Sequence, residues 1–327
     1  MHILITGAAG MIGRKLTARL VESSKLNGQP IEKLTLIDTS APERPEKFAG
    51  IVGTFAADIS DPPVIHAAVA GRPDVIFHLA AIVSGEAELD FEKGVRINLD
   101  ASRALLEAIR QTGSGYCPRL VFTSSIAVFG APFPQAIPDD FHLTPLTSYG
   151  TQKAIVELLI AEYTRRAFLD GVGIRLPTIS VRPGRPNKAA SGFFSSIIRE
   201  PLAGEEAALP VEETVTHWHA SPRSAIGFLI HAAGLSREQL GPRVNLTMPG
   251  VCCTVAEQIA ALRRIAGDEV AARIRREPDP LVACIVDGWP RRFDPRRAVA
   301  LGFKAETSFD DIIRVHIEDE LGGKIAV

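Results

Sequence analysis

Three side chains in the middle of the chain are spaced so that they could remove a proton from a hydroxyl group. Tyr149 and Lys153 stand four residues apart in a stretch with a helical pattern, so they share one helix face. A phenol is a weak base at neutral pH, but an ammonium group beside it favours the phenolate. Ser125 closes an apolar strand-like run and could hydrogen-bond the same substrate oxygen. The set predicts general-base chemistry at an alcohol.

Each of these residues also has an ordinary structural interpretation. A Tyr-x-x-x-Lys pair often lies on a solvated helix face, and a serine after a strand often caps a turn. Ser124, beside Ser125, is assigned to the cofactor side. Asn98 stands early in a long helical stretch, where it is either a solvated asparagine or a residue that orients Lys153 through a water. A glycine pattern upstream favours the chemical interpretation.

The first strand-like run ends in a glycine pattern typical of a turn that holds a pyrophosphate. Gly7, Gly10 and Gly13 have the spacing GxxGxxG between an apolar strand and a helix. The first glycine allows a tight turn, the second lets the backbone approach the phosphates, and the third lets the helix pack close to the strand. Free N–H groups and the dipole at the helix start favour an anion. The pattern predicts a bound dinucleotide.

Asp38 ends the second long strand and indicates which dinucleotide binds. Its carboxylate can accept hydrogen bonds from ribose hydroxyls and would repel a 2′-phosphate, so NAD is favoured over NADP. The alternative is an exposed acid at a strand end, and Arg44 nearby is a mild counter-signal. The expected cofactor contacts are Gly7, Gly10, Met11, Ile12, Gly13, Asp38, Asp58, Ile59, Leu79, Ala80, Ala81, Asn98, Ser124, Tyr149, Lys153 and Pro177.

Strand and helix patterns alternate along the part of the chain that carries these residues. Strand patterns cover residues 3–6, 34–37, 52–56, 75–78, 120–124 and 174–181, and helical patterns cover 11–24, 63–70, 101–112 and 148–168. This alternation predicts an α/β fold with a Rossmann-type doubly wound parallel sheet. Beyond the turn-rich stretch 182–187 the elements are shorter. We expect an NAD-binding Rossmann domain over 1–183 and a smaller C-terminal substrate-binding portion over 184–327.

Composition argues against several other classes of protein. The chain has 327 residues and a formal charge of −2, so no basic field attracts nucleic acid. No apolar run approaches the roughly 20 residues that cross a bilayer, and no basic segment opens a signal peptide. Cys117, Cys252, Cys253 and Cys284 form no CxxC pair and are expected to be buried free thiols. We therefore expect a cytoplasmic protein without a metal site, a nucleic-acid partner or a membrane partner.

Taken together, these motifs resemble the extended short-chain dehydrogenase/reductase family, which includes NAD-dependent nucleotide-sugar epimerases and dehydratases. The family serine lies five residues before the glycine of a Val-Tyr-Gly motif, and Val128-Phe129-Gly130 occupies that place, so the resemblance identifies Ser125. The resemblance covers most of the chain and rests on the glycine turn, Asp38, Asp58, His78-Leu79-Ala80-Ala81, Asn98, Ser124-Ser125, Tyr149 with Lys153, and Arg182-Pro183-Gly184.

Two segments depart from the nucleotide-sugar enzymes. Residues 176–180 lack their Tyr-Phe-Asn-like run, and residues 216–223 differ from the pattern of the sugar epimerases. In these segments the chain resembles a subgroup that oxidises the 2-hydroxyl of a four-carbon sugar acid, D-erythronate, with NAD. The resemblance therefore implies a dehydrogenase that converts a small sugar acid to the 2-oxo acid.

Two other functions stay open at this point. A nucleotide-sugar epimerase or dehydratase would use the same residues but regenerate its tightly bound NAD, so it would release no net NADH. A non-enzymatic redox sensor could use the same fold. Retention of Ser125, Tyr149 and Lys153 argues against the sensor, because a sensor has no need of a tuned base.

A sugar-acid substrate would need a cationic anchor for its carboxylate, because an unpaired buried carboxylate is costly. Arg223 follows a stiff Ser-Pro turn and carries a guanidinium suited to two-point binding. The other candidate cations are Arg185, Lys188 and His217, and each candidate alone is more often a surface charge than a substrate contact. The expected substrate contacts are Ser84, Ser125, Tyr149, Thr178, Arg185, His217 and Arg223.

Two helical stretches predict a homodimer. Residues 99–112 and 148–168 carry apolar side chains over more than one narrow stripe, and a helix that is apolar over much of its circumference is buried. Members of the family that the chain resembles often dimerise through a four-helix bundle at this place. The apolar residues concerned are Leu105, Leu106, Ile109, Ile155, Leu158, Leu159 and Ile160.

Overall fold

A computed structural model gives the structure of the chain, and it describes residues 1–113, 115–184 and 190–325. The strands are β1 His2–Thr6, β2 Lys25–Leu26, β3 Gln29–Pro30, β4 Lys33–Asp38, β5 Ile51–Ala56, β6 Val75–His78, β7 Arg119–Ser125, β8 Ile137–Pro138, β9 Asp170–Leu176, β10 Thr178–Ile179, β11 Ala207–Leu209, β12 Thr216–Ala220, β13 Asn245–Thr247, β14 Val251–Thr254, β15 Ile274–Arg276 and β16 Phe293–Asp294.

Helices follow most of these strands. They are α1 Met11–Ser23, α2 Pro62–Ala70, α3 Ser84–Leu89, α4 Phe91–Gly94, α5 Ala101–Thr112, α6 Ser148–Arg165, α7 Phe193–Leu202, α8 Pro222–Gly234, α9 Arg237–Leu240, α10 Val255–Ala266, α11 Asp268–Ala271, α12 Pro280–Asp287, α13 Arg296–Ala300 and α14 Phe309–Leu321. A π-helical turn, Val95–Asp100, joins α4 to α5.

A seven-stranded sheet has the order β13-β9-β7-β6-β1-β4-β5. The pairs β1–β4, β1–β6, β4–β5 and β6–β7 are parallel. Ile3, Leu4 and Ile5 of β1 are fully buried, as expected for a central strand with both faces covered. Parallel order brings the carboxyl ends of β1, β4, β6 and β7 to one edge, and the motifs predicted from the sequence follow these ends.

The chain forms two compact units that interleave along the sequence. Unit 1 comprises Met1–Val128, Thr147–Arg175 and Ile226–Leu246, and unit 2 comprises Phe129–Leu146, Leu176–Ala225 and Thr247–Val327. The core of unit 1 includes Leu4, Leu105, Phe122, Val156 and Ile160, contributed by strands of the sheet and by α5 and α6. The two units do not divide at residue 183, because unit 2 has segments before it and unit 1 has a segment after it. The functional division into a cofactor-binding and a substrate-binding portion stays a prediction.

Unit 2 contains a small sheet, β10-β12-β14, in which β10 runs parallel to β12 and β14 runs antiparallel to it. Two further parallel pairs, β11–β15 and β8–β16, lie in the same unit. Its core is built from apolar side chains of α7, α10 and α14, among them Phe194, Ile197, Leu262, Ile312 and Ile313.

The α/β fold class and the order of elements predicted from the sequence are confirmed, with three local differences. The strand predicted over 174–181 is split, because Pro177 separates β9 from β10 and has no N–H to donate. Residues 25–30 form a short hairpin of β2 and β3 that the strand patterns did not include, turned by Asn27 and Gly28 with positive φ. Of the four cysteines only Cys253 is buried, and Cys117 and Cys284 are exposed, so the expectation of buried thiols was wrong for these two.

Candidate active site

The turn between β1 and α1 accepts only glycine at two of its three glycine positions. Gly7 has φ of +74°, and a Cβ there would lie 2.7 Å from the backbone nitrogen of Ala80. A Cβ on Gly13 would overlap the carbonyl oxygen of Gly7. The loop therefore keeps its backbone close both to the chain after β6 and to the first turn of α1.

The start of α1 offers backbone donors without a competing side chain. Gly10 is the N-cap, no side chain caps the helix, and the first turn holds no acidic residue. Met11 and Ile12, the first helical residues, are partly exposed. A pyrophosphate fits this arrangement, because open N–H groups at a helix start bind anions.

Asp38 ends β4 beside the glycine turn. Its Oδ2 accepts a hydrogen bond of 3.0 Å from the backbone N–H of Ala9, and its Oδ1 accepts one of 3.2 Å from that of Ser40. These donors fix the carboxylate next to the phosphate-binding backbone, where the ribose of a dinucleotide would lie. Asp38 thus lies beside the glycine turn, and its contact with a ribose stays a prediction.

Asp58 and Ile59, which follow β5, are the next expected cofactor contacts along the chain. Asp58 Oδ2 accepts a hydrogen bond of 3.0 Å from Arg96. Burial alone would raise the pKa of Asp58, but hydrogen bonds from Ser60 and from Arg96 hold it below its ordinary value. Ile59 is buried in the core of unit 1.

A buried histidine links the first strand to the helix that carries Asn98. His78 Nδ1 lies 2.8 Å from the Thr6 hydroxyl, and its Nε2 lies 2.9 Å from the Ser102 hydroxyl. Ser102 donates to the Asn98 carbonyl, so it accepts from an Nε2–H tautomer of His78. Burial, helped by the charge of Lys153, lowers the pKa of His78 to about 3, so the ring is neutral.

Small residues after β6 lie where the glycine turn comes close. Leu79 donates a backbone hydrogen bond of 3.1 Å to the Thr6 carbonyl, and Ala80 lies against Gly7. Leu79, Ala80 and Ala81 are each partly buried, as is Ser84 at the start of α3. The chain after β6 therefore lies against the glycine turn, and its contact with a cofactor stays a prediction.

Asn98 is 1% exposed, so the solvated alternative for this residue was wrong. It lies in the π-helical turn, a feature often found at functional sites. Its Oδ1 accepts a hydrogen bond of 2.9 Å from the backbone N–H of Ile82, and its Nδ2 donates a hydrogen bond of 2.8 Å to Gln152 Oε1. Gln152 precedes Lys153 on α6, so the structure ties Asn98 to the helix that carries the catalytic candidates.

Tyr149 and Lys153 share a face of α6, with the ammonium nitrogen 5.6 Å from the centre of the Tyr149 ring. The same nitrogen lies 4.6 Å from the centre of the Phe122 ring and donates a hydrogen bond of 2.9 Å to the Thr123 carbonyl. Lys153 is 2% exposed. Burial lowers its pKa to about 7, and the charge of Glu157 opposes this shift.

Ser125 lies at the end of β7, half-buried, in the same unit as Tyr149. Its oxygen accepts a hydrogen bond of 3.1 Å from the backbone N–H of Ala127, which leaves the hydroxyl hydrogen for another acceptor. Ser124 differs from its predicted cofactor-side role, because its hydroxyl donates 2.5 Å to the buried carboxylate of Glu157. Successive strand residues point to opposite faces, which explains why the two serines diverge.

Glu157 and Arg175 were not identified from the sequence. Glu157 is fully buried, and Arg175 of β9 binds it with Nε–Oε1 at 3.0 Å and Nη2–Oε2 at 2.7 Å. The one available signal is the position of Glu157, four residues beyond Lys153 on the same helix face. An arginine on a strand pattern gives no comparable signal.

Unit 2 carries the remaining substrate candidates. Thr178 Oγ1 and His217 Nε2 share a hydrogen bond of 2.7 Å. Burial, together with the nearby Arg182, lowers the pKa of His217 to about 3, so the ring that hydrogen-bonds to Thr178 is neutral. Pro177 precedes Thr178 in the link between β9 and β10. Arg185 and Lys188 lie outside the described residues.

Arg223 does not have the environment expected of a carboxylate anchor. Its guanidinium binds Glu318 at 2.9 Å and Asp319 at 2.5 Å, and its side chain is 49% exposed. The hydrogen bonds that Arg223 donates to Asp319 and Glu318 raise its pKa further above the ordinary value. The two carboxylates of α14 already neutralise its charge at the surface, which corrects the expectation from its Ser-Pro turn.

Neither a metal cluster nor a membrane span is found where the structure can be described. Over residues 1–113, 115–184 and 190–325, no group of three or more His, Cys, Asp or Glu side chains could hold a metal ion. Over the same ranges, no helix is both long and apolar enough to cross a bilayer.

Comparison with known proteins agrees with the motifs. Residues 3–220 match the model of the NAD dependent epimerase/dehydratase family. D-erythronate dehydrogenase of Cupriavidus necator is 48% identical over 98% of this chain and 98% of its own length. The enzyme of the same name from Haemophilus influenzae is 39% identical over 98% of this chain and 100% of its own length. A crystal structure from Agrobacterium tumefaciens, described as a nucleoside-diphosphate-sugar epimerase, is 63% identical, with a TM-score of 0.98 over 100% of this chain and 96% of that one.

Proposed function

Because the chain belongs to the NAD dependent epimerase/dehydratase family, we propose that it oxidises the 2-hydroxyl of a small sugar acid such as D-erythronate to the 2-oxo acid. It is an oxidoreductase that acts on a CH–OH group, with NAD as its cofactor. The observation that carries the proposal is 48% identity over almost the whole chain to a D-erythronate dehydrogenase.

The chain's own residues fit a bound dinucleotide. Gly10 and the open start of α1 would hold the pyrophosphate, and Asp38 would hold a ribose. The chemistry that NAD supplies when bound is the acceptance of a hydride.

In the proposed reaction Tyr149, as a phenolate, takes the proton from the 2-hydroxyl of the substrate. Lys153 beside it favours the phenolate by its positive charge. The hydroxyl hydrogen of Ser125, which the bond from Ala127 does not use, would hold the same substrate oxygen. Ser84, Thr178 and His217 are proposed as contacts for the rest of the acid, with Arg185 as a further candidate.

A panel of substrates with NAD tests the proposal. We expect net NADH release, followed by absorbance, with D-erythronate or a related four-carbon acid, and none with UDP- or dTDP-linked sugars. A panel in which no sugar acid gives NADH would contradict the proposal.

One observation favours a second candidate, a nucleotide-sugar epimerase. The Agrobacterium tumefaciens protein described in that way is 63% identical to this chain. Such an enzyme would convert a nucleotide sugar without net NADH release, so product analysis of the nucleotide-sugar arm distinguishes the two candidates.

We further propose that the protein is a cytoplasmic homodimer. Four of the seven predicted contact residues, Leu105, Leu106, Ile109 and Ile160, lie in the core of unit 1, which corrects that part of the prediction. Ile155 and Leu158 of α6 are 37% and 65% exposed and support a contact between two copies. Light scattering should give a dimer mass for the wild type and a monomer mass for Leu158→Glu, with Val299→Glu as an exposed control. A monomeric wild type at micromolar concentration would refute the dimer.

A further inference from the structure

The end of β7 holds α6 at two points that are one helical turn apart. The Thr123 carbonyl accepts a hydrogen bond of 2.9 Å from Lys153, and the adjacent Ser124 hydroxyl donates 2.5 Å to Glu157. Ser125, the third residue in this row, is the proposed substrate contact. The same strand end therefore positions the catalytic lysine, the buried glutamate and the substrate oxygen.

The Glu157 carboxylate has a fixed orientation. Arg175 binds both its oxygens from β9, while Ser124 binds one of them from β7. Asn245 donates 3.1 Å to the Glu157 backbone carbonyl, which also holds the helix at this turn. With no solvent exposure, the carboxylate keeps its charge effective at short range.

Few other charged groups face Lys153. Tyr149 and Glu157 share its helix, and His78 faces it from β6 as a neutral ring. Several charged groups on other elements packed against α6 have partners of their own. Glu88 of α3 accepts from the backbone of Ser148, Lys93 of α4 binds Glu86, Arg96 of the π-helical turn binds Asp58, and Glu107 of α5 binds Arg110.

We propose that Glu157 is a positioning residue for the reaction, whose clamped carboxylate favours the protonated form of Lys153 beside Tyr149. Lys153 is buried, and burial disfavours its charged form, so it needs a compensating negative charge. Glu157 supplies that charge, and Ser124 and Arg175 prevent it from turning away. This inference rests on the proposed alcohol oxidation, since the protonated lysine serves to favour the Tyr149 phenolate.

The pH dependence of kcat in the variant Glu157→Gln tests the inference. Without the carboxylate, Lys153 loses its proton at lower pH, so Tyr149 ionises only at higher pH. We expect the acidic limb of the kcat profile to move up by about one pH unit or more. Glu157→Asp, which keeps the charge, should move the limb back toward that of the wild type.

Glu162→Gln is the matched control, because Glu162 lies on the same helix at the surface, paired with Arg165. It should leave the profile unchanged. A Glu157→Gln enzyme with lower activity but an unmoved acidic limb would overturn the inference and indicate a purely structural role. If Glu157→Gln does not fold, the double variant Glu157→Gln/Arg175→Met removes both buried charges and should move the limb in the same direction by a smaller amount; an unmoved limb in the double variant would overturn the inference.

A measurement without substrate separates this inference from the proposed function. The pKa of Lys153 is about 7 in the folded protein against an ordinary 10.5, so the free energy of unfolding rises with pH between these values. In Glu157→Gln the rise should begin at lower pH. Thermal unfolding followed across pH would show this shift, and an unchanged onset would overturn the inference. Absence of NADH release by the wild type would instead contradict the proposed function.

Discussion

Around the candidate site of unit 1, the charged side chains Lys153 and Glu157 are buried with hydrogen-bond partners, whereas the buried candidate residue of unit 2, His217, is a neutral ring packed against an aromatic side chain. In unit 1, Lys153 donates a hydrogen bond to the Thr123 carbonyl, and the carboxylate of Glu157 accepts hydrogen bonds from Ser124 and Arg175. In unit 2, His217 stacks on Phe194 with 5.1 Å between ring centres. The two units therefore differ in the charge of their buried candidate residues: those of unit 1 are ionised, whereas that of unit 2 is polar but uncharged.

Removal of the phenolic oxygen of Tyr149, in unit 1, should lower the activity more than any other change considered for the two units. Tyr149→Phe deletes the proposed base but keeps the ring beside Lys153, so kcat should fall by about 10²–10⁴-fold. NADH binding, followed by fluorescence titration, should stay close to that of the wild type. Tyr163→Phe, on the same helix but bonded to Glu107, serves as the control and should keep its turnover. Wild-type kcat in Tyr149→Phe would refute the assignment of the base.

The glycine turn should give the next largest effect. Gly13→Ala would force Cβ against the Gly7 carbonyl, so α1 must move away from β1 and the phosphate-binding backbone must shift. We expect NAD affinity to fall by at least about tenfold, measured by calorimetry, together with a lower Tm. Gly227→Ala is the control, because a Cβ there meets nothing within 4 Å. Unchanged NAD affinity in Gly13→Ala would contradict the cofactor assignment.

The neutral histidines of unit 2 predict a smaller effect, which depends on pH. His217 titrates at about 3 in the folded protein but near 6.5 when unfolded, so stability is present above pH 6.5 and is lost as the pH falls below it. At pH 5 this histidine alone should cost about 2 kcal/mol. His217→Gln should lessen the loss of Tm between pH 7 and 5, whereas His142→Gln, at an exposed site, should not. Equal losses in both variants would refute the neutral, buried state.

The smallest effect is expected at Arg223. Its ion pairs with Glu318 and Asp319 lie at the surface, where such pairs contribute about 0.2–1 kcal/mol. Arg223→Gln should therefore leave KM for the acid and kcat unchanged and lower Tm only slightly. A large rise in KM in this variant would restore Arg223 as the substrate anchor.

Local sequence patterns predicted much of unit 1. Gly7 has a positive φ and Gly13 packs against the nearby Gly7 carbonyl, so both have local reasons to be glycine, and Tyr149 and Lys153 lie on one face because of helix geometry alone. The pairing of Glu157 with Arg175 was missed, because it depends on the packing of α6 against β9.

Long-range pairing also explains the error at Arg223. Its partners, Glu318 and Asp319, follow it by 95 and 96 residues, and no local pattern links residues at that separation. The burial of Asn98 also depends on a partner that is distant in sequence. The sequence left its burial open, and the π-helical turn with Gln152 as partner decided it.

The transfer of deuterium from carbon 2 of the substrate tests the central claim most directly. D-erythronate labelled with deuterium at C2 is incubated with the enzyme and NAD, and both products are analysed by mass spectrometry. We expect deuterium in the NADH, in a one-to-one ratio with an unlabelled 2-oxo acid, because the hydride leaves the carbon whose hydroxyl Tyr149 deprotonates. NADH without deuterium, or no NADH at all, would contradict the oxidation of the 2-hydroxyl.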